Sequence, residues 1–408
     1  MASPVIDRIE AFIIVGEKNY ARDAGLGSVT DSPKPVTAGA KPRALAGLLD
    51  LHICVYPPQA QTVLVKLTTS DGTFGWGEAH APLGPRATKA VIEDVLAPTL
   101  IGKDPFAIEH HWEKMYGSMR LRGHAAGYQM EAIAGIDIAL WDVVGKLLGQ
   151  PVYRLLGGPF RTELPTYASG VPGATVKDRI ASAERFIADG YTAMKASIGR
   201  GDIDSDVEGI VELAAAIKGR ADLLVDAHGA YNLDSALSVG RRLQAAGVHW
   251  LEDPLPPEDI SGYRYLMEKL DIAIAAGETD CTRWQVMQRL QSQSVSVLLP
   301  DICRAGGISE GRKIATAASL YNTRWAAHVS MGTSVHVAAA AHLAAASANF
   351  LIFEFSMGTN NPIGDRLLTA PLHPVNGILS VPDSPGLGIE FDETLLQEHI
   401  WNPESTHA

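Results

Sequence analysis

From residue 164 onward the chain repeats one pattern: a short apolar run, a polar residue at its end, a loop, then an Ala-rich amphipathic stretch. The runs end in "TAMKAS", "LLVDAH", "HWLEDP", "IAAGET", "SVLLPD", "RWAAHV" and "LIFEF". Their polar ends are Lys195, Asp226, Glu252, Glu278, Asp301, His328 and Glu354, spaced 23 to 31 residues apart. Continuous apolar runs alternating with helices are the mark of parallel strands buried on both faces. A (β/α)8 barrel of roughly 250 residues repeats about every 30. With "LPTYASG" at 164–170 as the first strand, the count reaches eight, and a TIM-like barrel is predicted. Barrel enzymes place their chemistry at the strand ends, where inward charges are costly unless used.

Roughly the first 160 residues follow another pattern. "VIDRIEAFIIV" and "TVLVKLTTSDGTFGWGEA" read as strands, the second stretch turning at Asp71-Gly72. Helices are predicted around 85–97, 106–119 and 130–148. Between the first strands lies "EKNYARDAGLGSVTDSPKPVTAGAKPRA", which is either a functional lid or a surface insertion. The run "HVAAAAHLAAASANFLIF" is broken by His342 and Asn349, so it reads as a barrel helix entering a strand rather than a membrane span.

Composition narrows the class. The 408 residues are 46% hydrophobic and 20% charged, as in a globular protein, with a formal charge of −12 that disfavours nucleic acid and anionic membranes as partners. The three cysteines (Cys54, Cys281, Cys303) are too scattered for a disulfide framework or a zinc site. "MASPVIDRIEAF" lacks the basic and apolar regions of a signal peptide, so a cytoplasmic location is expected.

Asp226, Glu252 and Glu278 end three consecutive strands and should converge at the barrel mouth. Three clustered carboxylates repel unless a cation sits among them, and an all-oxygen set selects a hard ion such as Mg2+. The alternative, that each acid caps a following helix, suits one acid better than three. Asp301 and His328 end the next strands, and a carboxylate holding a histidine Nδ1–H makes a general base. Lys195 either binds a substrate carboxylate, acts as a base if desolvated, or pairs with the metal acids. In a strand, Asp226 and His228 would share one face, which points His228 into the same cavity. "RAGG" at 304–307 is a weak candidate for a phosphate nest, while His80, Tyr20 and Arg22 are either substrate contacts or surface residues.

The whole pattern resembles the enolase superfamily in its mandelate racemase-like branch. The resemblance rests on "GWGEA", "IAGIDIALWDVVGKLLGQPVYRLLGG", the "DxH…LEDP…AGE" series, "PD…GG", "AAHV" and the ending "VPDSPGLGIEFDE". It implies an α+β capping domain over 1–160, a barrel over 161–370, and a segment 371–408 that returns to the cap. It also implies Mg2+ on Asp226, Glu252 and Glu278, with His328 and Asp301 as the base dyad that removes the proton α to a carboxylate. Glu354 matches the acid that hydrogen-bonds the substrate carboxylate, protonated in the apolar setting of "LIFEF". The racemases carry Lys-x-Lys where this chain has Lys195-Ala196-Ser197, so a one-base enzyme is expected. His228 resembles the acid-sugar dehydratase histidine that protonates a departing β-hydroxyl, or else it only hydrogen-bonds substrate. The resemblance therefore implies a sugar-acid dehydratase giving a 2-keto-3-deoxy acid, in a symmetric homo-oligomer. The rival readings are a cycloisomerase of a lactone or anhydro-sugar acid, and a catalytically silent binding barrel.

Overall fold

The computed structural model describes residues 3–18, 59–199, 201–356, 363–364 and 366–402. Tyr20, Arg22, Cys54 and nearly all of the long Gly/Pro-rich loop lie outside the described residues. Among the described residues no helix is long and apolar enough to cross a membrane.

Strands β1 (Ile6–Lys18), β2 (Gln59–Thr69) and β3 (Phe74–Ala79) form an antiparallel sheet in that order. The hairpin turns where predicted: Gly72 takes φ 87°, and Asp71 accepts hydrogen bonds from the Thr69 hydroxyl (2.7 Å) and the Thr73 amide (3.0 Å). Three helices cover the sheet: α1 (Pro85–Ala90, running on as a π-turn through Leu96), α2 (Ile108–Arg120) and α3 (Tyr128–Leu148). Helix α3 is apolar on nearly every side and buried from Gln129 to Gly145, because it lies between the cap sheet and the barrel. Gly77 is required there, since a Cβ would run into the Gly135 carbonyl.

Eight parallel strands close the barrel. They are β4 (Glu163–Ser169), β5 (Ala193–Ser197), β6 (Asp222–Asp226), β7 (Trp250–Glu252), β8 (Ala273–Ala276), β9 (Val297–Leu298), β10 (Arg324–Ala327) and β11 (Phe350–Ser356), with β11 pairing back to β4. A short β12 (Ile378–Ser380) adds antiparallel to β4. The intervening helices are α4 (Val176–Ala188), α5 (Ile203–Ile217), α6 (Leu233–Ala246), α7 (Ile260–Lys269), α8 (Arg283–Ser292), α9 (Gly307–Leu320) and α10 (Ser334–Ala345). The interior is filled rather than hollow: Tyr167, Leu224, Trp250, Val297 and Leu299 pack together, with Tyr167 edge-on to Trp250 at 5.6 Å. Strands β8 and β9 stop earlier than expected, at Gly277 (φ 128°) and before Pro300, which has no N–H for the ladder. Glu278 and Asp301 consequently ride on the first residues of loops.

Three buried acids lock the cap to the barrel and the tail. Glu78 accepts from the Thr62 hydroxyl (2.8 Å), the Thr333 amide (3.0 Å) and hydroxyl (2.6 Å) and the His336 amide (3.1 Å), at the N-terminus of α10. Asp137 accepts from the Ser309 amide (3.0 Å) and hydroxyl (2.6 Å) at the start of α9. Asp142 accepts from the Trp76 amide (2.7 Å) and the Leu387 amide (2.8 Å), joining the cap sheet to the tail. The tail passes through α11 (Glu393–His399) and then reaches β1, where the Trp401 amide donates to the Ile13 carbonyl at 2.8 Å.

This seam corrects the "RAGG" expectation. Gly306 and Gly307 adopt φ 89° and 92°, and a Cβ on Gly307 would collide with the Asp137 carboxylate. The anion received at this helix start is a side chain of the cap, so no room is left for a phosphate.

Candidate active site

Every predicted strand-end residue faces the C-terminal mouth, and the register explains why. Asp226 pairs with Glu252 across β6 and β7, and Lys195 lies on β5 one strand over. Asp226, Glu252 and Glu278 each offer a carboxylate oxygen within 4.8 Å of the others. Lys195 Nζ reaches Glu252 Oε1 (2.6 Å), Glu354 Oε1 (2.8 Å) and Asp226 Oδ2 (3.4 Å). Burial opposes the charge on Lys195, but Glu252, Glu354 and Asp226 hold it well above the usual lysine range. Three carboxylates around Nζ favour the ammonium form, which suits binding a substrate carboxylate better than acting as a base.

Three acids share that one lysine, and Glu278 adds a fourth carboxylate to the cluster, so the group remains under-neutralised. Burial pushes the Glu252 carboxyl up, and Asp226, Glu354 and Glu278 add to the push against Lys195. Glu252 Oε2 is buried without a hydrogen-bond donor. An orphaned buried acceptor beside two further carboxylates is the environment a divalent cation satisfies, so the donor set fits a hard metal ion.

On the other side His328 is nearly fully buried. Its Nδ1 lies 2.9 Å from Asp301 Oδ2, and its Nε2 lies 3.1 Å from Glu278 Oε2. Burial works against the charge on Asp301, yet His336 and His328 hold its carboxyl well below the usual range. Asp301 is therefore an acceptor, and the Nδ1–H of His328 donates to it. Glu278 and Asp301 in turn raise His328 well above the usual histidine range despite its burial.

Two expectations need correction. Glu354 is set toward the charged form rather than the neutral one: burial favours the neutral form, but Lys195 and His328 hold its carboxyl below the ordinary range. Its oxygens are engaged by Lys195, the Ser169 hydroxyl (2.6 Å) and the Val329 amide (3.0 Å). His228 is not a second strand position. Strand β6 ends at Asp226, and His228 turns away with φ 47°, its amide donating to Asp226 Oδ1 at 3.0 Å. The turn still brings its Nδ1 to 3.2 Å from Asp226 Oδ1, with the ring about a third exposed at the mouth. The imidazole reaches the expected place by a different backbone route.

His80 is neither at the surface nor free to meet substrate. It is buried in the seam, its ring 5.5 Å from that of His336 and its Nε2 3.2 Å from Ser330 Oγ, and burial pushes it down to about 3. Sequence reasoning missed Ser169 and His336. Ser169 closes β4 in the same register position as the other polar strand ends, a signal already present in "LPTYASG". His336 follows His328 by eight residues, with nothing in the sequence to link it to Asp301.

A capped, closed (β/α)8 barrel with an acidic triad and a histidine–aspartate pair at its mouth defines the class. Residues 178–395 match the family described as Enolase C-terminal domain-like, and residues 52–157 match the Mandelate racemase / muconate lactonizing enzyme, N-terminal domain. The chain belongs to the enolase superfamily, in its mandelate racemase-like branch. It is 38% identical to the D-galactarolactone cycloisomerase of Agrobacterium fabrum over 82% of this chain and 90% of that protein. It is 32% identical to the D-galactonate dehydratase of Xanthomonas oryzae pv. oryzae, over 86% of this chain and 94% of that one. The crystal structure of the 3,6-anhydro-D-galactonate cycloisomerase from Zobellia galactanivorans superposes with a TM-score of 0.82 at 30% identity, covering 98% of this chain and 100% of that one.

Proposed function

We propose that the chain is a Mg2+-dependent dehydratase of a hydroxylated sugar acid, releasing water to give a 2-keto-3-deoxy acid. The observation that carries this reading is that two imidazoles flank one acidic triad: His328 lies at Glu278 and His228 at Asp226. Asp226, Glu252 and Glu278 would hold the ion. Bound there, the ion supplies positive charge opposite the negative charge that develops on the substrate carboxylate.

The chain's own groups do the rest. Asp301 keeps the proton on His328 Nδ1; with Glu278 engaged as a metal ligand, its carboxylate would no longer hold a proton on Nε2, which would then be free to take the proton α to the carboxylate. Lys195 keeps its ammonium beside that carboxylate and beside Glu354. His228 Nδ1 lies 3.2 Å from Asp226 Oδ1, which leaves Nε2 as the nitrogen that would donate to the departing β-hydroxyl. The C–H and C–O bonds break, water leaves, and the enol tautomerises to the ketone. Ser197 stands where the racemases carry their second lysine, which argues against racemisation.

A second reading is favoured by the 38% identity to a lactone cycloisomerase. There the leaving oxygen belongs to the ring, and no water is lost. Incubation with D-galactonate and with D-galactarolactone, followed by mass spectrometry and carbonyl trapping, separates the two: dehydration loses one water and cycloisomerisation keeps the mass. The roles divide as follows. His328→Asn should abolish both turnover and exchange of the α-proton with deuterated solvent, whereas His228→Asn should block elimination and leave exchange in place. Exchange that survives in His328→Asn would overturn the one-base scheme.

A further inference from the structure

Asp301 is bracketed by two imidazoles, and the scheme above uses only one. Oδ2 receives His328 Nδ1 at 2.9 Å, whereas Oδ1 receives the Cys303 amide at 2.9 Å and faces His336 Nε2 at 3.2 Å. His336 is fully buried, and neither ring nitrogen completes a well-aligned hydrogen bond. Burying an imidazole in that state costs on the order of 1–3 kcal/mol, so a residue needed only for packing would be apolar. Its backbone is fixed as firmly as its ring is under-used: the His336 amide donates to Glu78 of the cap, the His80 ring leans on it, and a Cβ at Gly332 would collide with it.

We propose that His336 is a positioning residue for the base. It presents Nε2–H to Asp301 Oδ1 so that Oδ2 stays aimed at His328. The contact is off line in the free protein, as hydrogen bonds at reaction centres often are before substrate binds. Because Glu78 holds the turn that carries His336, seating of the cap and aim of the dyad become one property. The proposal rests on the reading of His328 as the base.

The test compares His336→Phe, which keeps the ring volume and removes the donor, with His336→Gln, which keeps an N–H. D-galactonate and D-galactarolactone serve as probe substrates, the one turned over by the wild type being used. In His336→Phe, kcat should fall about 10- to 100-fold with KM within about twofold. The isotope effect on kcat from α-deuterated substrate should rise, as proton abstraction becomes limiting. His336→Gln should recover most of the loss. A His336→Phe variant with wild-type kcat, or a His336→Gln variant as impaired as His336→Phe, overturns the proposal. If the wild type turns over neither acid, the substrate reading fails by itself. The proposal is then decided by the downfield imidazole proton of His328, assigned by its absence in His328→Asn. A resonance displaced in His336→Phe and retained in His336→Gln upholds the proposal, and one unmoved in His336→Phe overturns it.

Discussion

Lys195 and a divalent cation would compete for the same acids, which makes Lys195→Met informative. The ammonium lies 2.6 Å from Glu252 and 3.4 Å from Asp226, both members of the candidate metal triad. At an effective dielectric constant of about 20, a pair of unit charges about 4 Å apart interacts by roughly 4 kcal/mol. Desolvation and sharing among three acids reduce the usable part to about 1–3 kcal/mol, so removing the lysine should tighten Mg2+ binding by roughly 10- to 100-fold. The metal-free protein moves the other way, losing about 3–5 kcal/mol because buried carboxylates are left uncompensated. The Mg2+-induced rise in Tm should therefore be larger in Lys195→Met than in the wild type, although the variant starts lower. Affinity is read by titration against a chelating dye at pH 8, where protons compete least with the metal for acids whose affinity for protons has risen. Equal or weaker Mg2+ binding in the variant would refute the competition argument.

Two further predictions use the same logic elsewhere. Glu252→Gln removes one charge from an over-crowded set, so it should abolish Mg2+-induced stabilisation and turnover while the metal-free protein melts no lower than wild type; full activity after chelation would remove the metal from the scheme. His342 is pushed down to about 4, first by burial, and its neutral ring accepts from the Tyr153 amide (3.2 Å) and donates to the Leu387 carbonyl (3.1 Å). Its folded pKa lies below the unfolded value of about 6.5, so its contribution is present above that pH and is lost as pH falls towards 4, by about 3 kcal/mol. The urea midpoint should drop across that window and drop less steeply in His342→Gln; an unchanged slope would exclude His342 as a source.

The barrel was legible because a parallel strand buried on both faces leaves an uninterrupted apolar run, and because the mouth requires a polar residue at each end. The same local reading failed for Glu354. The flanks of "LIFEF" suggested a neutral carboxyl, but strand neighbours in sequence point to other faces, and the groups that decide its charge arrive across the β11–β4 closure and from β5. Lys195 and Ser169 stand 159 and 185 residues away from it. His228 failed for the opposite reason: alternation was assumed two residues beyond Asp226, where the ladder stops. The seam is the most instructive case. "GWGEA" and "IAGIDIALWD" are specific enough to mark the family, yet Glu78, Asp137 and Asp142 never reach the triad. Each sits against exposed amides of a helix start or of the tail, where a buried carboxylate is tolerated because several donors converge on it. The helix-start and tail partners lie between 172 and 258 residues from the acid they satisfy. A motif can therefore be strong in sequence while its physical reason lies wholly in what docks against it. Here that reason is the fit between a cap and a barrel whose proposed base, through Asp301 and His336, would be held in place from the cap's side.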